Sequence, residues 1–189
     1  IIRRLAARAD ILVENYMVGT LARYGLGYDD LKVINPRLIY CSITGFGQDG
    51  PYSHRPGYDF VFQGMGGLMG LTGNADDQPG GEPMKVGIAA ADILTGMYAT
   101  TAMLAALEYR RESGRGQHID MALLDSVVAL NSYQALNYFL SGRIPRRLGN
   151  AHPNMVPYQV FRCRDGNIIL AVGNDGQFQR FAKAVGHEE

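Results

Sequence analysis

The sequence predicts an α/β fold built on a parallel sheet, and three observations predict it. Short β-rich apolar runs recur along the chain, at Ile11–Asn15, Leu38–Gly47 and Gln117–Asp125. Helix-like stretches separate these runs, and strands that alternate with helices pair in parallel. The chain has 189 residues, enough to bury a substantial core.

The elements follow in order. "IIRRLAARAD" reads as a chain entering in mid-helix without an initiator Met, which is expected of an internal piece of a longer protein. "ILVEN" is a short apolar run ending in polar residues, a buried strand. "GYDDLKVINPR" is a short amphipathic helix closed by Pro36. "LIYCSITGFG" is β-rich and breaks into the Gly/Pro turn region "GQDGPYSHRPG". "YDFVFQGMGGLMGLTG" is apolar but full of glycine, a helix or loop with close backbone contacts, and "NADDQPGGEP" is a surface loop.

A helix of roughly twenty residues then runs from about Asp92 to a charged end and a glycine stop at Gly114. Gly87 to Leu107 is long enough to span a bilayer. Asp92, Gly96, Tyr98 and several threonines dilute its hydrophobicity, and an intramembrane Asp is costly, so a buried helix is expected and no membrane. "QHIDMALLD" is another strand and "SVVALNSYQALNYFLSG" another helix. "RIPRRLGNAHPNMVPYQ" shifts in composition and reads as a linker, after which "VFRCRDGNIILAV" forms a hairpin around Asp165-Gly166.

Eighteen Lys+Arg balance eighteen Asp+Glu, for a formal net charge of +0. That leaves no electrostatic footprint for nucleic acid or an anionic membrane. Cys41 and Cys163 lie far apart with no CxxC or Cys/His spacing, which fits free thiols in a reducing cytoplasm and no metal site. GxSxG, HExxH, GxxxxGK[ST] and GxGxxG are all absent. "GMGGLMG" (Gly64 to Gly70) lacks the Lys-Ser/Thr of a phosphate loop and reads as close helix–helix contact. The four histidines, His54, His118, His152 and His187, have no ligand spacing and read as surface or linker residues.

Asp92 is a lone acid at the mouth of an apolar helix. It can be an N-cap, accepting bonds from first-turn amides. The same place serves chemistry, because the helix dipole holds the anion and an apolar backing keeps water from a carboxylate nucleophile. Spacing alone does not separate the two roles.

Four blocks in fixed order narrow the choice: "ADILVENYMVGTLARYGLGYDDLKVINPRLIYCSITGFGQDGP", "RPGYDFVFQGMGGLMGLTG", "VGIAAADILTGMYATTAMLAALEYRRESGRGQHIDMALLD" and "GNAHPNMVPYQVFRCRDGNIILAVGNDGQF". Together they closely resemble the class III CoA-transferases, the family of formyl-CoA transferase, carnitine CoA-transferase (CaiB/BaiF) and α-methylacyl-CoA racemase, over nearly the whole chain. The resemblance implies a Rossmann-like parallel sheet in residues 1–142, a linker at 143–158 and the start of a smaller α+β domain at 159–189. It further implies an interlocked homodimer, and an N-terminal part of the large domain that lies outside this sequence.

The resemblance also assigns roles. Asp92 matches the family's nucleophile, which opens an acyl-CoA thioester through a mixed anhydride and an aspartyl-CoA thioester. Tyr58 and the adjacent Asp59 match residues lining the acyl pocket, and Asn15, Tyr16 and Arg23 match the segment facing the nucleotide end of CoA. Coenzyme A and acyl-CoA are then substrates, with a small carboxylic acid, and no cofactor is permanently bound. Racemases of the family carry His at the place of Tyr58; the "GYD" here favours transfer, because a tyrosine of ordinary pKa near 10 exchanges α-protons poorly. Racemase-like α-proton exchange and a non-catalytic CoA-binding homologue remain the alternatives. Formyl-CoA transferase has a tetraglycine lid where this chain has "GNAHPNMVPYQ", a block closer to relatives that handle succinate, glutarate or mesaconate. Arg55, Arg146 and Arg147 are candidate partners for such an acid.

Overall fold

The structure, a computed structural model, describes residues 1–187. Its contacts divide the chain into two units, Ile1–Met69 with Lys85–Ile144 and Gly70–Met84 with Pro145–Glu189. The last two positions of the small domain expected at 159–189 lie outside the described residues.

The first unit is built on a parallel sheet of order β1 (Ile11–Glu14), β2 (Ile39–Thr44) and β3 (His118–Ala122). Val13 stands opposite Cys41, and Cys41 opposite Ile119. The central strand is almost wholly buried, as parallel strands with both faces covered are. Side chains alternate across it. Tyr40 packs with Ala6 of α1 (Ile2–Ala6) and Leu31 of α2 (Tyr28–Ile34). Ile43, of opposite parity, packs against Phe62 of α3 (Asp59–Met65), Ala91 of α5 (Ala90–Ser113), and Leu123 and Val127 of α6 (Leu123–Leu130). The short α4 (Leu68–Leu71) follows α3.

Of the glycines of "GMGGLMG", Gly66 brings helices together, whereas Gly70 faces open space. A Cβ on Gly66 would lie 2.5 Å from Val127 Cγ1 of α6 and 2.8 Å from the Phe62 carbonyl. Helix α5 stops where Gly114 adopts φ +72, a left-handed C-cap conformation that L side chains rarely take. Near that end Arg110, only 9% exposed, donates to the Asp10 and Arg37 carbonyls at 3.2 Å and to Asp10 Oδ1 at 2.9 Å. These anchors lie just before β1 and β2. The far end of α5, with Asp92, therefore sits at the carboxyl edge of the strands, beside Ile43.

Four expectations need correction. The strand β1 is not buried: Ile11, Leu12 and Glu14 are half-buried and Val13 is exposed. Helix α5 is not a buried helix within this chain: it buries the line Ala91, Thr95, Ala99, Ala106 and Arg110, while Ile93, Met97 and Leu104 stay exposed. Among the described residues it is the helix long and apolar enough to cross a membrane by length and composition. The strand expected through Asp125 ends at Ala122, because the apolar run continues directly into α6. The single helix expected over Ser126–Gly142 is two, α6 and α7 (Ser132–Ser141), broken where Ser132 takes φ 47.

The second unit contains the antiparallel hairpin β4 (Tyr158–Arg162) and β5 (Asn167–Ala171) around Asp165-Gly166, followed by α8 (Asp175–Ala184). Asn174 caps α8 by accepting the Gln177 amide at 2.9 Å. Residues 70–84 also belong to this unit, where Arg147 pairs with Asp76.

Candidate active site

Ligands of open parallel α/β sheets bind outside the carboxyl ends of the strands. Five of the sequence-predicted residues reach that edge directly. Asn15 and Tyr16 follow the end of β1, Tyr58 and Asp59 begin α3 after the loop leaving β2, and Asp92 lies in the first turn of α5. Asn15 Nδ2 donates to the Ile43 carbonyl at 2.7 Å, tying the ends of β1 and β2, and Ile43 packs on the cluster that contains Ala91.

The structure resolves the question of the cap. The N-cap of α5 is Ala89, which has no side-chain acceptor. Asp59 supplies the missing acceptor from another helix: its Oδ1 takes the Ala91 N–H at 2.7 Å, and its Oδ2 takes Gln63 Nε2 at 2.7 Å. Asp92 is exposed and makes no hydrogen bond or ion pair with any described residue. Partial burial first, and the nearby Asp59 charge second, lift its carboxyl above the ordinary 3.8. The shielded acid expected from sequence is thus, within this chain, an open one. What the arrangement offers chemically is an anionic oxygen at a helix N-terminus with its lone pairs unspent.

Tyr58 is 86% exposed and free to meet a substrate, whereas both Asp59 oxygens are turned to Ala91 and Gln63. Tyr16 is exposed. Arg23 lies in a single turn of 3-10 helix (Ala22–Tyr24), exposed and without a described partner. Of the arginines considered for an acid, Arg147 is committed to Asp76, Arg55 stacks 4.2 Å over Tyr52, and Arg146 is exposed.

A cleft of about 250 Å³ lies on the Tyr40 face of the sheet. It is lined by Glu14, Tyr28, Asp29, Asp30, Ser42 and His118, among others, and by none of the predicted site residues. Its three carboxylates make it a poor home for CoA phosphates. His118 is an exposed residue on β3, with Nε2 2.9 Å from Ser42 Oγ and its ring stacked 5.0 Å from Tyr28. His152 Nδ1 accepts the Asn154 amide at 3.0 Å within its loop. Sequence reasoning missed Gln63, which is 0% exposed; only its unusual placement in an apolar run signals it.

Comparison with known proteins gives the family of the chain. The family model described as CoA-transferase family III matches residues 1–189. The chain is 55% identical over 186 residues to succinate–glutarate CoA-transferase of Agrobacterium fabrum, covering 98% of this chain and 46% of that protein. It is 45% identical to human succinyl-CoA:glutarate CoA-transferase, covering 98% of this chain and 41% of that one. A CaiB/BaiF family crystal structure from Brucella suis superposes with TM-score 0.84 at 54% identity, covering 100% of this chain and 49% of that one. The chain belongs to CoA-transferase family III. It spans about half the length of the relatives it matches.

Proposed function

We propose that the protein carrying this chain moves CoA from an acyl-CoA to a carboxylic acid, with Asp92 as the nucleophile. The observation that carries the reading is the division of labour between two acids: Asp59 caps α5, so Asp92 keeps both oxygens for chemistry. In the first step an Asp92 oxygen attacks the thioester carbonyl and the C–S bond breaks, giving an acyl-aspartyl anhydride and CoA thiolate. The thiolate attacks the Asp92 carbonyl of that anhydride and expels the donor acid as its carboxylate, leaving an aspartyl-CoA thioester. The acceptor carboxylate attacks this thioester, forms a second anhydride and frees the thiolate. The thiolate then takes the acceptor acyl group and restores the Asp92 carboxylate. One thioester is broken for each one made, so no external energy is required.

Tyr58 stands where its phenol can orient the acyl group or donate to the developing oxyanion. Asp59 contributes its charge beside it. Asn15, Tyr16 and Arg23 face CoA, and the Arg23 guanidinium suits phosphate oxygens. The activities for which the relatives are named support a dicarboxylate pair, succinate and glutarate. Water must be kept from the anhydrides. That shielding comes from a second copy in a homodimer and from chain beyond these residues. Exposed apolar side chains on α5 and α7, including Met97, Leu104, Phe139 and Leu140, support the pairing. The unpaired thiols of Cys41 and Cys163 support a cytoplasmic setting.

The test is a full-length chain given succinyl-CoA and glutarate. Glutaryl-CoA should appear as succinyl-CoA disappears, without accumulation of free CoA. Simple hydrolysis contradicts the proposal, as does α-deuteration of a chiral 2-methylacyl-CoA in deuterated water without transfer; the latter outcome selects the racemase.

A further inference from the structure

Gln63 sits in the middle of α3, fully buried, with its carboxamide spent on the entrance to α5. Its Oε1 accepts the Val86 N–H at 3.0 Å, and its Nε2 donates to the Ile88 carbonyl at 3.2 Å and to Asp59 Oδ2 at 2.7 Å. The Val86 N–H meets only an acceptor, so the orientation of the amide is settled, and the two Nε2 hydrogens match two acceptors. Asp59 Oδ1 in turn holds the Ala91 N–H, one residue before Asp92. One side chain therefore joins the strap leading into α5, the first turn of α3 and, through Asp59, the first turn of α5.

We propose that Gln63 is a positioning residue for Asp92, acting through Asp59 and the Val86–Ile88 strap; this rests on the reading of Asp92 as nucleophile. The network is centred on a buried side chain whose donors and acceptor are all satisfied, which holds it in one arrangement. Rigidity matters here because a carboxylate oxygen must meet a thioester carbon in near-attack geometry, where small misplacements are costly. An apolar side chain at position 63 preserves the packing but frees the Asp59 carboxylate to turn and leaves the Val86 N–H without its acceptor, while the Ile88 carbonyl keeps only the Ala90 N–H. The CoA-facing candidates Asn15, Tyr16 and Arg23 lie on other elements, so the contacts that hold CoA are untouched.

The experiment compares Gln63→Met, Asp59→Ala and the double variant in a full-length chain, with succinyl-CoA and glutarate as substrates and folding checked by thermal melting. Gln63→Met should lower kcat by ~10²-fold while KM for succinyl-CoA stays within about 2-fold. The double variant should fall no further than the worse single one, because both changes break the same linkage. Should Gln63→Met fail to fold, Gln63→Glu carries the same test: it keeps size and the acceptor for Val86, but turns an acceptor onto Asp59 Oδ2. Unchanged kcat in a folded variant overturns the inference. So does an effect confined to KM, and so does a double variant whose losses multiply to ~10⁴-fold, the mark of independent residues. Hydroxylamine trapping on the unaltered protein separates the two levels. A hydroxamate on Asp92 together with an unimpaired Gln63→Met variant sinks the positioning role alone, whereas no hydroxamate on Asp92 sinks the nucleophile reading and this inference with it.

Discussion

Asp59 caps a helix distant in sequence: its Oδ1 accepts the amide of Ala91, 32 positions further along the chain, at 2.7 Å. The neighbouring acid, Asp92, is thereby released from the task that its place in the helix would otherwise impose. Two carboxylates share one helix N-terminus, one spent on structure and one left open. The like charge between them, added to partial burial, holds the Asp92 carboxyl above its ordinary range.

Asp59→Asn should weaken the protein and shift its pH profile. The new amide keeps one acceptor for Ala91 but sets a donor against Gln63 Nε2, whose orientation is fixed by the Val86 amide. The expected cost is about 1–3 kcal/mol, read by denaturant melts. Removal of the like charge lowers the Asp92 carboxyl toward 3.8, although partial burial still holds it above. The acid limb of the transfer rate should therefore move to lower pH.

Asp92→Asn should separate stability from function. A carboxyl raised in the folded state binds more protons there than in the unfolded chain. Its contribution to stability is therefore present at low pH and lost as pH rises from 3.8 through the raised value. At neutral pH the neutral isostere removes that liability, so thermal melting should give a Tm equal to or above the parent's. Transfer should fall by roughly 10⁴-fold or more, the scale of a lost nucleophile.

Much of this architecture is legible in local pattern, and the remainder depends on contacts distant in sequence. The runs around Val13 and Cys41, the Asp165-Gly166 hairpin and the Gly114 stop each carry their own signal, in periodicity or turn chemistry. The start of α6 at Leu123 carries none, since no polar residue divides it from the apolar strand before it. The break at Ser132 is likewise unmarked by Gly or Pro. Asp92 was recognisable as a special acid, but its freedom was not, because the residue that relieves it lies on another helix. Gln63 carried only the weak signal of a polar residue in an apolar run, and its role shows once its three partners are assembled around it.

Gly66→Ala should destabilise the first unit. The added methyl would come 2.5 Å from Val127 Cγ1 and 2.8 Å from a backbone carbonyl, and Val127 is 0% exposed, with little room to yield. Overpacking of this kind costs about 1–3 kcal/mol, measurable as a lower denaturation midpoint.

The two cysteines should differ in reactivity. Burial in the central strand, then the Glu14 and Asp120 charges, push the Cys41 thiol up to about 11, and the residue is fully buried. Thiolate is the reactive species. Alkylation with iodoacetamide at mildly alkaline pH, followed by peptide mass mapping, should mark Cys163 in the folded protein and both residues only after denaturation.

The most direct measurement is the identity of the residue that becomes covalently loaded during turnover. A full-length chain is mixed with succinyl-CoA, quenched with hydroxylamine and digested, and the peptide containing Asp92 is sequenced by mass spectrometry. The account predicts a hydroxamate on Asp92 that is absent without acyl-CoA. An unmodified Asp92 in a protein that is turning over, or a hydroxamate on Asp59 instead, would contradict it.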